Sequence, residues 1–179
     1  MPPPFFTIGH STRSIAEFVD LLRVGEVRLV IDVRAVPRSR TNPQYDADGL
    51  GEALAAFQIG HGRIPALGGL RGRAREVPSE VNGWWQNRSF HNYADHMLTE
   101  EFRAGLEELI DLGRDRRTAV MCSEAVWWRC HRRLIADRLL ARGETVLHLM
   151  DRLRAEPARL SEGAVLEAGR LTYPAPPAG

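Results

Sequence analysis

Apolar positions along the chain alternate between short continuous runs and longer stretches with helical spacing. Residues 5–9 and 27–33 are nearly continuous apolar runs, which is typical of strands buried on both faces. The segment between them has a capping box at 14–17, followed by apolar residues at helical spacing up to Leu22. A strand, a helix and a strand within about 30 residues predict a βαβ unit.

The same alternation continues towards the C-terminus. Further strands are predicted at 118–122 and 145–150, and helices at 49–58, 89–113 (one or two) and 130–142. Because strands alternate with helices, the pattern predicts an α/β fold with a mostly parallel sheet of about four to five strands. Helices are expected on both faces of that sheet, in a Rossmann-like three-layer arrangement.

No break in composition divides the chain, so a single domain is expected over 1–179. Its core is predicted at about residues 5–150, and residues 151–179 form a C-terminal extension that frays from Tyr173 onward. The glycine- and arginine-rich segment at 60–83 is predicted to be a long irregular connection, and such connections are often functional when they are ordered.

Composition narrows the possible chemistry and the expected location. All 24 basic residues are arginine, so a Schiff base on lysine is excluded. No apolar run is long enough to cross a membrane, and the N-terminal residues lack the pattern of a secretory signal. We therefore expect a cytoplasmic protein that has no membrane partner and whose two cysteines are reduced thiols.

Polar and ionisable residues follow three of the predicted strands. They are His10 and Ser11 after the first strand, Asp32 and Arg34 at the second, and Cys122 and Glu124 at the third. In open parallel sheets, ligands bind beyond the carboxyl ends of the strands. The sequence therefore predicts that these residues form one functional pocket.

Five motifs in chain order resemble a known family. They are Thr7-Ile-Gly-His-Ser11, Asp32-Val-Arg34 with Pro37 and Ser39, Leu67-Gly-Gly69, Tyr93-Ala-Asp95, and Cys122-x-Glu124 followed by Cys130-His-Arg132. Over roughly residues 6–150, the chain resembles the bacterial and archaeal domain-of-unknown-function family 488. The resemblance implies a compact α/β fold and a cytosolic prokaryotic protein. It implies no activity, because the family is named for lacking one.

The segment from Cys122 to Arg132 has features of an anion-binding or nucleophilic loop. A helix is predicted to begin shortly after the strand end, and its first amides and dipole favour negative charge. Arg129 and Arg132 add positive charge, and such surroundings lower the pKa of a thiol. Cys122 is therefore a candidate nucleophile. The alternative is that Cys122 is a buried small residue that closes the strand.

Asp32 and Glu124 are candidate acid and base residues. Two carboxylates in different environments can divide these roles, as in cleavage of a glycosidic bond. His10 is a further candidate for proton transfer. The alternative is that each carboxylate forms a salt bridge with an arginine and holds a loop.

Cys130 and His131 allow two interpretations. They are either a metal-binding or proton-transfer pair, or a core cysteine beside a histidine that orients the loop. A zinc site from Cys122, Cys130 and His131, with His10 as a fourth ligand, is a weaker alternative, because the spacing of the cysteines is unlike that of paired zinc ligands.

Arginines and tryptophans occur together in the loop segments. The tryptophans form two pairs, Trp84-Trp85 and Trp127-Trp128. Aromatic rings beside arginines suit the stacking of nucleic-acid bases next to phosphate contacts. The alternative is that the tryptophans fasten long loops to the core.

The leading hypothesis is a hydrolase or transferase that acts on an anionic, phosphate-bearing ligand such as a nucleotide or nucleic acid. The predicted catalytic residues are Cys122, Glu124, Asp32 and His10, and the predicted ligand-binding residues are Ser11, Arg34, Ser39, Arg129, His131 and Arg132. No cofactor is expected. The alternatives are a nucleic-acid-binding module without catalysis and a metal-binding protein. The sequence leaves the oligomeric state open.

Overall fold

A six-stranded sheet forms the centre of the protein in the computed structural model, which describes residues 1–178. The strands are β1 (Phe5–Gly9), β2 (Leu29–Asp32), β3 (Gly60–Arg63), β4 (Thr118–Cys122), β5 (Val146–Met150) and β6 (Arg154–Pro157). Their order is β3-β2-β4-β1-β5-β6, and all neighbouring pairs are parallel except β5 and β6. The predicted α/β fold with a mostly parallel sheet is confirmed, with six strands instead of four or five.

Helices cover both faces of the sheet. They are α1 (Ile15–Val24), α2 (Ala47–Ala55), α3 (Arg88–His96), α4 (Glu100–Asp115) and α5 (Arg132–Ala141). Successive side chains of a strand point to opposite faces. Phe6 therefore packs in one core with α1 and α2, while Phe5 packs in the other with α3, α4 and α5. Over residues 1–178, no helix is both long and apolar enough to cross a membrane.

The start of α1 follows the predicted capping box. The Ser14 hydroxyl accepts a hydrogen bond from the Glu17 amide at 3.1 Å, and the Glu17 carboxylate accepts one from the Ser14 amide at 2.9 Å. These two bonds satisfy amides that have no partner within the helix. The residue at which α1 begins is therefore determined by local sequence.

Strand β3 lies in the segment that is predicted to be irregular, so that part of the prediction is wrong. The strand has no apolar alternation, and it pairs only with β2 at the edge of the sheet. Ile59 and Ile64, which flank it, are buried and fasten it to the two cores. Backbone pairing and these flanking residues thus form a strand that periodicity does not indicate.

The C-terminal segment is more ordered than its sequence suggests. Strand β6 extends the main sheet, and β7 (Val165–Glu167) and β8 (Arg170–Thr172) form a hairpin. The predicted fraying from Tyr173 is wrong at that residue, because Tyr173 is fully buried and donates a hydrogen bond to Asp137 at 2.7 Å. Gly179, the last residue of the segment predicted to fray, lies outside the described residues.

Gly9, at the end of β1, allows a close approach of two chain segments. A β-carbon at this position would lie 1.7 Å from the carbonyl oxygen of Glu124 and 2.9 Å from the guanidinium group of Arg132. The nearer atom belongs to the backbone, so a small side-chain adjustment cannot relieve the clash. Glycine is therefore a packing requirement where β1 meets the loop after β4.

We expect Gly9→Ala to lower the free energy of unfolding by at least about 2 kcal/mol, because the extra methyl group forces the backbone apart. Gly49→Ala in α2 is the matched control. No atom lies within 4 Å of a β-carbon added there, so the substitution should raise stability by about 0.5–1 kcal/mol through helix propensity. Urea denaturation measures both values. If Gly9→Ala were as stable as the wild type, the close approach of β1 to the Glu124 carbonyl oxygen would be contradicted.

Candidate functional site

A cavity of about 650 Å³ opens at the carboxyl ends of β1, β2 and β4. Because β4 lies between β2 and β1, the segments that follow these strands meet at one edge of the sheet. Residues of the segments 10–12, 34–42 and 122–131 line the cavity, together with residues 69–70 and one face of α3. The topology thus assembles the wall from distant parts of the chain.

Asp32 and Arg34 form a buried ion pair beneath the cavity. Arg34 donates from Nε to Oδ1 of Asp32 at 3.0 Å and from Nη2 to Oδ2 at 2.7 Å. Its Nη2 also donates to the Tyr45 carbonyl oxygen at 2.7 Å. Asp32 is fully buried and does not line the cavity, whereas Arg34 does. These contacts favour the salt-bridge interpretation of Asp32 over direct proton transfer to a ligand.

His10 lines the cavity but both of its ring nitrogens have partners. Its Nδ1 hydrogen bonds to the Ser11 carbonyl oxygen at 2.8 Å, and its Nε2 lies 3.3 Å from Nη1 of Arg34. The ring stacks on Tyr45 with centroids 4.2 Å apart. Burial lowers the pKa of His10, so the ring is a neutral acceptor for Arg34. This arrangement favours a positioning role for His10.

Arg132 is fully buried below the loop that follows β4. Its Nη1 donates to Sγ of Cys122 and to the Glu124 carbonyl oxygen, each at 2.6 Å, and its Nη2 donates to the Ala125 carbonyl oxygen at 3.2 Å. Arg132 does not line the cavity. The structure therefore makes it the anchor of the loop, although the sequence places it among the ligand-binding residues.

Cys122 and Cys130 both line the cavity, and their thiols interact. Burial raises the pKa of Cys122 well above its ordinary value. Burial would also raise the pKa of Cys130, but the hydrogen bond from Cys122 and the charge of Arg132 outweigh it and lower the pKa to about 7. The protonated thiol is thus Cys122, and the more acidic thiol is Cys130.

His131 lies beside the more acidic thiol. Its Nε2 donates a hydrogen bond to the Val33 carbonyl oxygen at 2.8 Å, and its Nδ1 lies 3.6 Å from Sγ of Cys130. Burial lowers the pKa of His131, so Nδ1 is an unprotonated acceptor. The sequence indicates Cys122 as the candidate nucleophile and Cys130 only as part of a metal-binding or proton-transfer pair with His131. The sequence signal that points to Cys130 is its position in a Cys-His pair immediately before a predicted helix.

Two arginines are available to a ligand. The guanidinium groups of Arg38 and Arg129 are exposed, line the cavity, and make no hydrogen bond or ion pair with any residue in the described range 1–178. Glu124 is the exposed carboxylate on the same wall. Arg38 belongs to the predicted arginine-rich loops but is absent from the predicted ligand-binding set.

The two predicted serines are part of the cavity wall. Ser11 lies at the turn after β1, where its φ of 48° bends the chain away from the sheet. Ser39 holds the second loop, since its hydroxyl accepts a hydrogen bond from the Asn42 amide at 3.0 Å and its amide donates to Asp46 at 2.8 Å. Both serines are therefore at the cavity, and Ser39 also shapes it.

The tryptophans lie outside the cavity wall. Trp127 stacks on His148 with ring centroids 4.5 Å apart, and Trp84 and Trp85 pack against Tyr173. These contacts join the loop after β4 and the C-terminal segment to the core. The arrangement favours the fastening interpretation over base stacking.

The zinc alternative gains no support from the arrangement of side chains. Across the described part of the chain, residues 1–178, no three histidine, cysteine, aspartate or glutamate side chains are grouped to hold a metal ion. Cys122, Cys130 and His131 share a wall, but His131 directs Nε2 to a backbone carbonyl and Cys122 contacts Arg132. A guanidinium group beside a thiol disfavours a cation at the same sulfur.

Comparison with protein families agrees with the motifs. The model of the family described as "Domain of unknown function DUF488" matches residues 14–139, from the start of α1 to within α5. The chain belongs to the DUF488 family. No curated protein and no solved structure matches the chain. The match confirms the family that the motifs indicate. The matched range includes Asp32, Arg34, Cys122 and Cys130, while the segment around His10 precedes it.

His148, which stacks on Trp127, should make the free energy of unfolding depend on pH. Burial and the nearby charge of Arg132 lower the pKa of His148 to about 3, whereas its ordinary value is 6.5. Between these values the unfolded chain binds a proton that the folded protein does not. Stability should therefore fall as the pH drops from about 6.5 towards 3, by up to about 1.4 kcal/mol per pH unit from this residue.

His148→Gln should make the pH dependence of the unfolding free energy shallower by that amount, since glutamine does not titrate. Urea denaturation at a series of pH values measures the slope for both proteins. Equal slopes for the variant and the wild type would show that His148 titrates in the same way in the folded and unfolded states.

Proposed function

We propose that the strand-end cavity binds a small phosphate-bearing anion of the nucleotide class, and that the protein is a hydrolase or transferase acting on it. The observation that carries the proposal is the pair of unpartnered, exposed guanidinium groups of Arg38 and Arg129 at the cavity. Arginine is well suited to bidentate contacts with phosphate oxygens. Glu124 is the one carboxylate on the wall, so the local charge favours an anion.

Size and lining support a small ligand. A volume of about 650 Å³ lies within the range of about 300–1,000 Å³ that is usual for small-molecule sites. Phe90 offers a half-buried aromatic ring for a base, and the hydroxyls of Ser11, Thr12 and Ser89 offer hydrogen bonds for a sugar. A cavity of this size suits a nucleotide better than a long nucleic-acid strand.

The surrounding groups support a chemical step. Glu124 is an exposed carboxylate at the wall and is the proposed general acid or base. The buried Asp32–Arg34 pair and His10 hold the opposite wall in place. Arg34 also lines the cavity, and its charge adds to that of Arg38 and Arg129.

The proposal includes a cytoplasmic, prokaryotic setting. Cys122 and Cys130 are free thiols although they interact with each other. Free neighbouring thiols persist in a reducing compartment. Oxidation of the two cysteines would change the wall of the cavity that they form. In this proposal the reduced state is therefore the functional one.

Removal of either unpartnered arginine should weaken ligand binding. We expect Arg129→Gln and Arg38→Gln each to reduce the affinity for AMP and for inorganic phosphate by about tenfold, since one charge-assisted contact is lost. Arg40→Gln, on the same loop but outside the cavity wall, is the matched control and should bind like the wild type. Isothermal titration calorimetry at low salt measures the affinities.

A parallel titration with a single-stranded oligonucleotide separates the rival function. If the oligonucleotide binds with a steep salt dependence while AMP and phosphate do not bind, the protein is a nucleic-acid-binding module and the proposal is wrong. Equal loss of affinity in Arg40→Gln would likewise contradict it, because the effect would then come from general surface charge.

A further inference from the structure

Arg132 is a fully buried cation without a carboxylate partner. Within residues 1–178, no aspartate or glutamate oxygen lies within 4.0 Å of its guanidinium group. A buried charge without a counter-ion is costly, so a nearby group must carry negative charge. The ionisable groups in contact with Arg132 are the thiols of Cys122 and Cys130. One negative charge on this thiol pair would balance the arginine.

We propose that Cys130 is the nucleophile of the cavity, with His131 as its proton partner and Cys122 and Arg132 as the groups that stabilise its thiolate. The inference deepens the proposed function, on which it rests for the class of ligand. It assigns the covalent step to a residue different from the one that the sequence indicated.

Three contacts prepare the Cys130 sulfur for attack. Sγ accepts a hydrogen bond from the Arg132 amide at 3.4 Å, at the start of α5, and lies 3.6 Å from Nδ1 of His131. The Val33 carbonyl oxygen holds the opposite nitrogen of His131 at 2.8 Å. A nucleophile, an adjacent base and a third group that orients the base form the usual arrangement of an activated thiol.

Cys130 is favoured over Cys122 by the contacts of each sulfur. Cys122 accepts a hydrogen bond from Arg132 and donates its own hydrogen to the Glu124 carbonyl oxygen at 3.9 Å, which leaves it as the protonated member of the pair. Both cysteines belong to the cavity wall. A coupled pair titrates as a unit, and the lowered pKa of Cys130, to about 7, agrees with a thiolate at this position.

Charged and titratable groups from several elements face Cys130. Cys122 comes from β4, His131 and Arg132 from the start of α5, and Tyr93 from α3, where its ring centroid lies 5.0 Å from that of His131. Burial raises the pKa of Tyr93 well above its ordinary value, so it stays neutral near pH 7. Burial and the charges of Arg132 and Arg71 lower the pKa of His131. The titration of the site near neutral pH therefore belongs to the thiol pair.

The proposed step conserves atoms and charge. Cys130 gives its proton to Nδ1 of His131, and the thiolate donates an electron pair to the electrophilic atom of the ligand. A bond from Sγ forms while the bond to the leaving group breaks, and the leaving group takes that bond's electron pair and the proton from His131. Water, or a hydroxyl acceptor in a transferase, then gives its proton to His131 and attacks the adduct. The released thiolate takes that proton back from His131, which restores the starting state.

Alkylation of the native protein tests the assignment, because the chain has only two cysteines. Iodoacetamide reacts with a thiolate by forming a carbon–sulfur bond as iodide leaves. At pH 7 we expect Cys122→Ser, which retains Cys130, to be labelled at least about tenfold faster than Cys130→Ser. Intact-mass spectrometry follows the rate, and circular dichroism checks that both variants are folded.

The pH profile and a third variant separate activation from simple exposure. In the wild type the labelling rate should rise with a midpoint near 7, in line with the lowered pKa of Cys130. His131→Gln should slow labelling at pH 7, because the proton acceptor beside the sulfur is lost. The assignment is overturned if Cys122 is the faster thiol, or if Cys130 is labelled only after the protein unfolds in urea.

Iodoacetate, the anionic analogue, distinguishes failure of this inference from failure of the proposed function. The ratio of iodoacetate to iodoacetamide rates should be higher for the protein than for glutathione, and Arg129→Gln should lower it. Fast labelling without such a preference leaves Cys130 as the nucleophile and counts against anion binding. Phosphate binding without labelling of Cys130 supports the cavity function and rejects the nucleophile.

Discussion

The buried guanidinium group of Arg132 is the interaction on which the site depends. It joins the end of β4 to the start of α5 through Cys122 and through the backbone carbonyls of Glu124 and Ala125. Gly9 provides the space for this junction, because any side chain there would displace the same carbonyl. The loop between β4 and α5 carries the thiol pair and one of the unpartnered arginines. Its position relative to the sheet thus depends on this buried charge, together with the stacking of Trp127 on His148.

The arginines of the cavity divide into two groups by burial. Arg34 and Arg132 are buried and use their donors on protein atoms, so they hold opposite walls. Arg38 and Arg129 are exposed and unpartnered within residues 1–178, so they can meet an anion. A buried cation with partners stabilises a shape, and an exposed one without partners is free to bind. The two groups together explain how a rigid cavity can remain cationic.

Much of the fold follows from local pattern. The predicted β1 and β4 agree with the structure in both bounds, and the capping box begins α1 where the sequence indicates. The failures have a common cause. Strand β3 and the buried Tyr173 are stabilised by partners far along the chain, namely the edge of β2 and the Asp137 carboxylate. Periodicity describes how a segment meets the core and contains no information about such partners.

The sequence by itself determined the family, the three-layer α/β fold, and the convergence of polar residues at the ends of β1, β2 and β4, because strand order and apolar spacing are local or topological properties. Only the tertiary structure decided which of these residues are available. Asp32 is buried against Arg34, and burial raises the pKa of Cys122 while the contacts of Cys130 lower its pKa. Charge and reactivity depend on burial and on partners from distant segments, and these exist only once the chain has folded.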